Sequence, residues 1–398
     1  MVKSVAMKSA LMICGDYMED FEVMVPFQVL HAFGVTVDCV SPNKQSGDKC
    51  FTALHDLLGF ELYTELPGYF FTLNSNFHEV EPESYDALII PGGRFVEFLS
   101  VDDKVLSIVK KFAEAGKPIA TSCHSQLILA AAGLLKGKKC TAFGSMKPVI
   151  EMAGGVWWEQ PGITSVLDIT ACLKDGNIIS SIGWPAHGEY LRVLFESLGA
   201  KFHSIKSNNS VLFLCGDYVE DYEMNVPLRA LQALGCKVDA VTPSKKRGET
   251  CVTAIHDDEG GQVCSEKRGH NLLITANWDD ISVSDYDCVV VPGGRSPELL
   301  VMNQKAVGLV KEFAEKDRVI AGIGQGLWLL AAAGIIKGKK CAANDGMKVM
   351  VKMSGGKVEE PKAGCVWDGK LVTADGWHAL PSFICQLSKL LGLSLSFE

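Results

Sequence analysis

The chain has 398 residues, 47% of them hydrophobic and 21% charged, with a formal net charge of −9; this ordinary globular balance sets two or three domains as the expectation. No basic cluster with interleaved aromatics occurs, which argues against a nucleic-acid partner, and no apolar run reaches the length of a membrane-spanning helix. Fourteen cysteines are scattered without C-x-x-C pairs, several inside apolar runs, which speaks against a disulfide framework or a zinc site and for a reducing compartment, the cytosol first and the nucleus second.

The N-terminal residues carry two lysines, no arginine and no small-residue cleavage site, so no targeting leader is expected. Ser9–Cys14 is a continuous apolar run, the mark of a strand buried on both faces. Glu22 to Phe33 then places apolar residues at helical spacing, and Val35–Ser41 reads as a strand. Gly59 to Leu73 is aromatic and β-prone, a candidate hairpin. Asp86–Ile90 is a strand ending at Pro91-Gly92-Gly93-Arg94, and Val105–Ala115 is an amphipathic helix. A short β-type run, Lys117–Ala120, leads into Thr121-Ser122-Cys123-His124-Ser125-Gln126 and then a helical run, Leu127 to Leu135. Met146 to Ala153 is a helix. Val166–Leu173 and Asn177–Ile182 flank an Asp175-Gly176 hairpin turn, and His187–Leu198 is a closing helix.

All of this is written twice. Cys14-Gly-Asp-Tyr-Met-Glu-Asp20 recurs from Cys215, Pro91-Gly-Gly-Arg94 from Pro292, His55-Asp56 from His256 and Gly154-Gly155 from Gly355, each 201 residues on. The expected organisation is a first domain over 1–200, a linker over 201–209 and a second domain over 210–398. Alternating strands and helices imply mostly parallel sheets with helices on both faces, and ligands beyond the carboxyl ends of the strands. Gly15, Gly92 and Cys123 each lie just past such an end.

A cysteine beside a histidine, on a small-residue turn between strand and helix, is where a nucleophile elbow sits. A helix N-terminus and an imidazole both favour the reactive thiolate. A buried structural cysteine is the alternative reading of the same residue. Asp16, Glu19 and Asp20 fit a solvated first helical turn. Glu22 differs: it adjoins Val23, Val25, Phe27 and Val29, and a carboxyl held against apolar surface has a raised pKa suited to moving protons near neutral pH. A glycine amide of the Pro91–Arg94 turn would pair with the His124 amide as an oxyanion site. His55-Asp56 reads as a structural contact, and His187 either lines the crevice or caps a turn. No spacing suggests a metal site, and no glycine-rich phosphate loop follows the first strand, so neither metal nor cofactor is expected. In the second copy, Gly324 and Gln325 stand at the places of Cys123 and His124 while Glu223 matches Glu22. That copy is expected to lack nucleophilic chemistry.

In combination, Gly-Asp-Tyr-Met-Glu-Asp-Phe-Glu-x-x-x-Pro, Pro-Gly-Gly-Arg-x-x-Glu and Ser-Cys-His-x-Gln give a chain that resembles the DJ-1/PfpI superfamily, specifically its plant tandem-domain members related to glutathione-independent glyoxalases. The resemblance implies two tandem flavodoxin-like, class I glutamine amidotransferase-like α/β/α sandwiches. It implies Cys123 as nucleophile, Glu22 as proton shuttle, His124 as base and orienter, and the Gly93 and His124 amides as the oxyanion site. Ser125, His187 and Arg94 would line the substrate. An acid from the neighbouring domain, Glu298, would complete the first site, while its counterpart Glu97 would face the degenerate site of Glu223, Gly324 and Gln325. Ser125 stands where the family has glycine, so its hydroxymethyl is expected to crowd a small substrate or alter the turn. The implied activity is conversion of methylglyoxal, or another small dicarbonyl or aldehyde, to a hydroxy acid in a stress-related protein. The implied assembly is a homotrimer of tandem chains, a pseudo-hexamer of domains. The competing reading is a non-enzymatic sensor or chaperone-like protein with an oxidisable Cys123.

Overall fold

The computed structural model describes residues 7–58, 62–162, 169–259 and 263–397. It divides into two compact units, Met1–Lys201 with Leu395–Glu398, and Phe202–Ser394. The stretch expected as a linker begins inside a strand, Ala200–Ser204.

The first unit is built on a six-stranded sheet: β1 (Ser9–Ile13), β2 (Thr36–Val40), β3 (Ala87–Ile90), β4 (Ile119–Ser122), β5 (Cys172–Asp175) and β6 (Ile178–Ser181). The order is β5-β6-β4-β3-β1-β2, parallel throughout except for β5, which turns back on β6 as a hairpin. The five parallel strands follow the flavodoxin-like order, and winding reverses between β1 and β3. Ala10 to Ile13 and Ala87 to Ile90 are fully buried, which explains why these strands read as unbroken apolar runs. The start of the expected strand Val166–Leu173 lies outside the described residues.

Helices cover both faces because each presents one apolar stripe. Asp103–Glu114 buries Val105, Ile108, Val109 and Phe112, the spacing of one helical face. Its start is fixed by Asp102, whose carboxylate accepts from Lys104 N (2.9 Å) and Val105 N (3.0 Å). Truncating Phe112 to alanine would cost about 3–5 kcal/mol by cavity formation.

Beside the main sheet, Met18–Glu19, Lys49–Leu54 and Leu66–Thr72 form a three-stranded sheet. Leu66–Thr72 supplies the β-structure expected within Gly59–Leu73; residues 59–61 of that expected hairpin lie outside the described residues. The second unit repeats the architecture. Lys237–Val241, Ser210–Leu214, Cys288–Val291, Val319–Ile323 and Leu371–Ala374 are neighbours in parallel, with Cys365–Asp368 antiparallel at the edge.

Candidate active site

The carboxyl ends of the central strands stop level with one another. Ile90 pairs with Thr121, and Ser181 with Ser122. The next residues, Pro91-Gly92, Cys123 and Gly183, therefore meet at one place, tied by Cys123 N donating to Ser181 O at 3.0 Å.

Cys123 has φ +55°, the left-handed region that costs a residue with a Cβ about 1–2 kcal/mol. The turn is held by Ser125, whose backbone N–H donates to Ser122 O at 3.0 Å before the helix Gln126–Ala131 begins. The result is an elbow that presents the thiol at the floor of a cavity of about 310 Å³.

Glu22 reaches the same floor from the helix Asp20–Ala32. Its Oε2 accepts from Gly92 N at 2.6 Å. A Cβ on Gly92 would lie 2.5 Å from that oxygen and 2.6 Å from Cys123 Cβ, so the acid and the cysteine flank a position that only glycine can fill. Burial, then repulsion from Glu19, pushes the Glu22 carboxyl up to about 8. The acid carries its proton at neutral pH. Oε1 turns to the cysteine side, where a Cβ on Gly183 would be 3.3 Å from it and 4.0 Å from Cys123 Cβ.

His124 Nδ1 lies 3.1 Å from Cys123 Sγ, and Nε2 lies 3.2 Å from Ser145 Oγ. The ring stacks on Phe143 at 5.7 Å. Burial, and then the neighbouring His55, lower the imidazole to about 4. It is neutral at pH 7, and the tautomer with its proton on Nε2 would donate to Ser145 and leave Nδ1 to accept the thiol proton. Burial pushes the Cys123 thiol well above its ordinary value, and Glu22 and Glu19 add to this where they are ionised, while the His124 backbone N–H bonded to sulfur acts the other way. The resting group is therefore a thiol. The thiolate expected from the helix end and imidazole is not favoured, because the imidazole is uncharged, the helix is short and the nearest charges are acids.

Several expected residues stand elsewhere. Ser125 is fully buried and does not border the cavity; its hydroxyl turns back to donate to Ser122 O (2.5 Å) and accept from Ser122 N (2.7 Å). The expected crowding therefore does not arise. His187 is buried against Tyr190, behind the lining. Arg94 is exposed, 3.5 Å from Glu65 through Nε, and does not border the cavity either. Gly93 bridges to Met18, one residue beyond the cavity, so of the expected oxyanion pair only the His124 amide faces the sulfur. Glu97 lies exposed on the short helix Phe95–Leu99 of the first unit, and Glu298 sits on its counterpart Ser296–Leu300 of the second, 2.9 Å from Arg295; their expected service across units is a matter of assembly and not of either unit's own cavity.

Other residues escaped the sequence reading. Glu19 and Asp20 are buried, not solvated. Glu19 caps the helix by accepting from Glu22 N at 2.8 Å and also lines the cavity. An acid three residues before Glu22 is the spacing of a cap, and that signal was available. His55 lines the cavity too, and its Nε2 lies 3.3 Å from Glu65. The walls are Phe143, Trp157, Ile169, Ile182 and Trp184, with Glu159 and Gln160 at the edge. Trp157 Nε1 is buried there without a hydrogen-bond partner among the described residues.

The second unit has the same floor plan. Gly324 takes φ +49°, and Gly293 N donates to Glu223 Oε2 at 2.7 Å. Burial pushes Glu223 up to about 8 as well. Gln325 lines a cavity of about 450 Å³ there. Among the described residues, no three His, Cys, Asp or Glu side chains converge as a metal site in either unit.

A flavodoxin-like sandwich with a cysteine in a left-handed elbow beside a buried acid defines a class of nucleophile-elbow proteins. This chain belongs to the DJ-1/PfpI family, whose model matches residues 8–197 and again 209–390. It is 62% identical over 397 residues to DJ-1 protein homolog E of Arabidopsis thaliana, covering 99% of this chain and 100% of that one. It is 60% identical over 398 residues to DJ-1 protein homolog F of the same plant, at 99% and 100% coverage. A Thermococcus kodakarensis protein named Deglycase TK1284 is 32% identical over 173 residues, 43% of this chain and 87% of its own length.

Proposed function

We propose that the first unit is a glutathione-independent glyoxalase-type enzyme that converts α-oxoaldehydes to α-hydroxy acids. The observation that carries this reading is the pairing of Cys123 with a protonated Glu22 across Gly92, at the floor of a largely apolar cavity. A neutral imidazole, a neutral carboxylic acid and a thiol leave the three reacting groups uncharged at rest, which suits an uncharged dicarbonyl.

The steps use only these groups. Sulfur adds to the aldehyde carbon as the thiol proton passes to His124 Nδ1 and the carbonyl oxygen takes the Glu22 proton. The Glu22 carboxylate then removes the hydrogen from that carbon, and the adjoining carbonyl oxygen is protonated by His124, giving an enediol. Return of the Glu22 proton to the second carbon, with loss of the first hydroxyl proton to His124, yields a thioester. Water then attacks, losing a proton to Glu22, and the sulfur leaves with the His124 proton. Methylglyoxal plus water becomes lactic acid, and each group ends as it began. Trp157 Nε1 supplies a donor for a substrate oxygen.

The test is lactate formation from methylglyoxal by the purified chain beside Cys123→Ala. A wild-type rate no greater than the variant's would end this reading for that substrate. The relatives named deglycases make glycated amines the second substrate class to try. The oxidation-sensor alternative draws no support from the raised Cys123 thiol, because peroxide reacts with thiolate.

A further inference from the structure

The second unit has kept the costly part of the site and rebuilt everything around it. Glu220, Glu223, His256 and Trp377 stand where Glu19, Glu22, His55 and Trp184 stand in the first unit. Around them, apolar or small residues have become polar. Phe143 and Gly144 correspond to Asn344 and Asp345, 201 residues on, and Ile182 to Asp375, 193 residues on, the spacing that relates Trp184 to Trp377. Asn344, Asp345 and Asp375 all line the second cavity.

Glu223 is only 3% exposed. Its Oε2 takes the Gly293 N–H, and Oε1 accepts no hydrogen bond among the described residues. The point where a Cβ on Gly324 would stand is 3.1 Å from that oxygen. Loss of the cysteine side chain thus opens, in front of a buried acceptor, a position at hydrogen-bonding distance. Asp375 faces the same end, and its charge helps to raise Glu223. A buried acid and a half-buried one beside it repel, and a cation between them would relieve both.

The other charges on this cavity are already matched. Lys348 is bound by Asp345 (2.7 Å) and by Glu360 at the rim, and Lys340 holds Glu359 at 2.7 Å. His256 Nε2 lies 3.3 Å from Glu266, and burial lowers its ring. His378 stacks on Trp377 at 3.6 Å, with its charge acting on Asp375. Glu220 caps its helix by accepting from Glu223 N at 2.7 Å. The inner end is made by Glu223 and Asp375; the lysine on the lining, Lys348, is held by Asp345 and Glu360, and its charge reaches Asp375 but is not among the influences on Glu223. Because no three ligating side chains converge there among the described residues, an organic cation fits this end better than a metal ion.

We propose that the second unit binds a small polar molecule carrying a protonated amine, with its ammonium group between Glu223 Oε1 and Asp375 and its other polar atoms against Gln325 and Asn344. This role is independent of turnover in the first unit.

Calorimetric titration of the full-length chain tests it, with ethanolamine, putrescine and glucosamine as amine probes, ethylene glycol and N-acetylglucosamine as uncharged counterparts, and Mg²⁺ alone. The expected result is that at least one amine binds about tenfold or more tightly than its uncharged counterpart, that Asp375→Asn weakens it by about tenfold, and that Cys123→Ala leaves it unchanged. Asp375 is partly exposed and the substitution keeps its shape, so the variant is expected to fold; Glu223→Gln serves as the second variant. Binding of no amine, equal binding of the uncharged probes, binding of Mg²⁺ in their place, or amine binding indifferent to Asp375→Asn would each overturn the proposal.

Discussion

The two floors differ at the elbow, where Cys123-His124-Ser125 meets Gly324-Gln325-Gly326, and agree in the turn and in the acid beneath it. Cys123 at φ +55° and Gly324 at φ +49° trace the same turn. Gly92 and Gly293 each donate an N–H to a buried acid, and both acids rise to about 8. Since Glu223 has no thiol beside it, the thiol is not what raises Glu22. Burial comes first in both, with Glu19 adding repulsion in one unit and Asp375 in the other. The scaffold sets the acid's proton affinity, and the elbow residue decides whether that proton meets a nucleophile.

The sharpest way to break this comparison is at the elbow itself. Cys123→Ala is expected to lower methylglyoxal turnover by about 10³-fold or more, while Gly324→Ala leaves it unchanged; steady-state rates on the two variants check this. Glu22→Gln should cost about 10²–10⁴-fold in rate, and Glu223→Gln nothing.

Stability separates the two acids from the chemistry. The folded pKa of about 8 lies above the ordinary 4.5, so the folded state holds the Glu22 proton more tightly than the unfolded chain. Stability on this account is full below pH 4.5 and falls as pH rises towards 8, at about 1.4 kcal/mol per pH unit per acid. Glu22→Gln and Glu223→Gln should each therefore raise stability at pH 8 by about 2–4 kcal/mol, read by denaturant unfolding, and change it little at pH 4. If only one does, the shared-scaffold account is wrong.

The same protons shape activity. On the proposed mechanism the free first unit needs Glu22 protonated and His124 neutral, so kcat/KM should fall above about pH 8 and below about pH 4. A smaller effect reads the elbow's strain. Cys123→Gly should be more stable than Cys123→Ala by about 1 kcal/mol, because only the alanine keeps a Cβ in the left-handed region.

Much of the scaffold was legible because its signals are local. Unbroken apolar runs marked the parallel strands, a 201-residue offset marked the repeat, and Glu22 among valines marked a perturbed acid. What sequence did not reveal depends on direction and distance. Ser125 looked like an obstacle until its hydroxyl was found bonded to its own turn. Glu19 looked solvated because a first-turn acid usually is; here the small sheet Met18–Glu19 draws it under the cavity. The thiol's state turned on the charge of His124, which burial removes. Trp157, Ile169 and Ile182 come from separate stretches that no single motif joins.

One glycine limits which residues of the first elbow the second would accept. Gly326 stands at the place of Ser125, and a Cβ there would lie 2.1 Å from the Val291 carbonyl oxygen. A recombination event that copied Cys123-His124-Ser125 into the second half would bring in the nucleophile and, with Gly326→Ser, a collision with the neighbouring strand. The strand end beneath Gly326 is thus fitted to glycine, and a hydroxymethyl there requires that strand to shift.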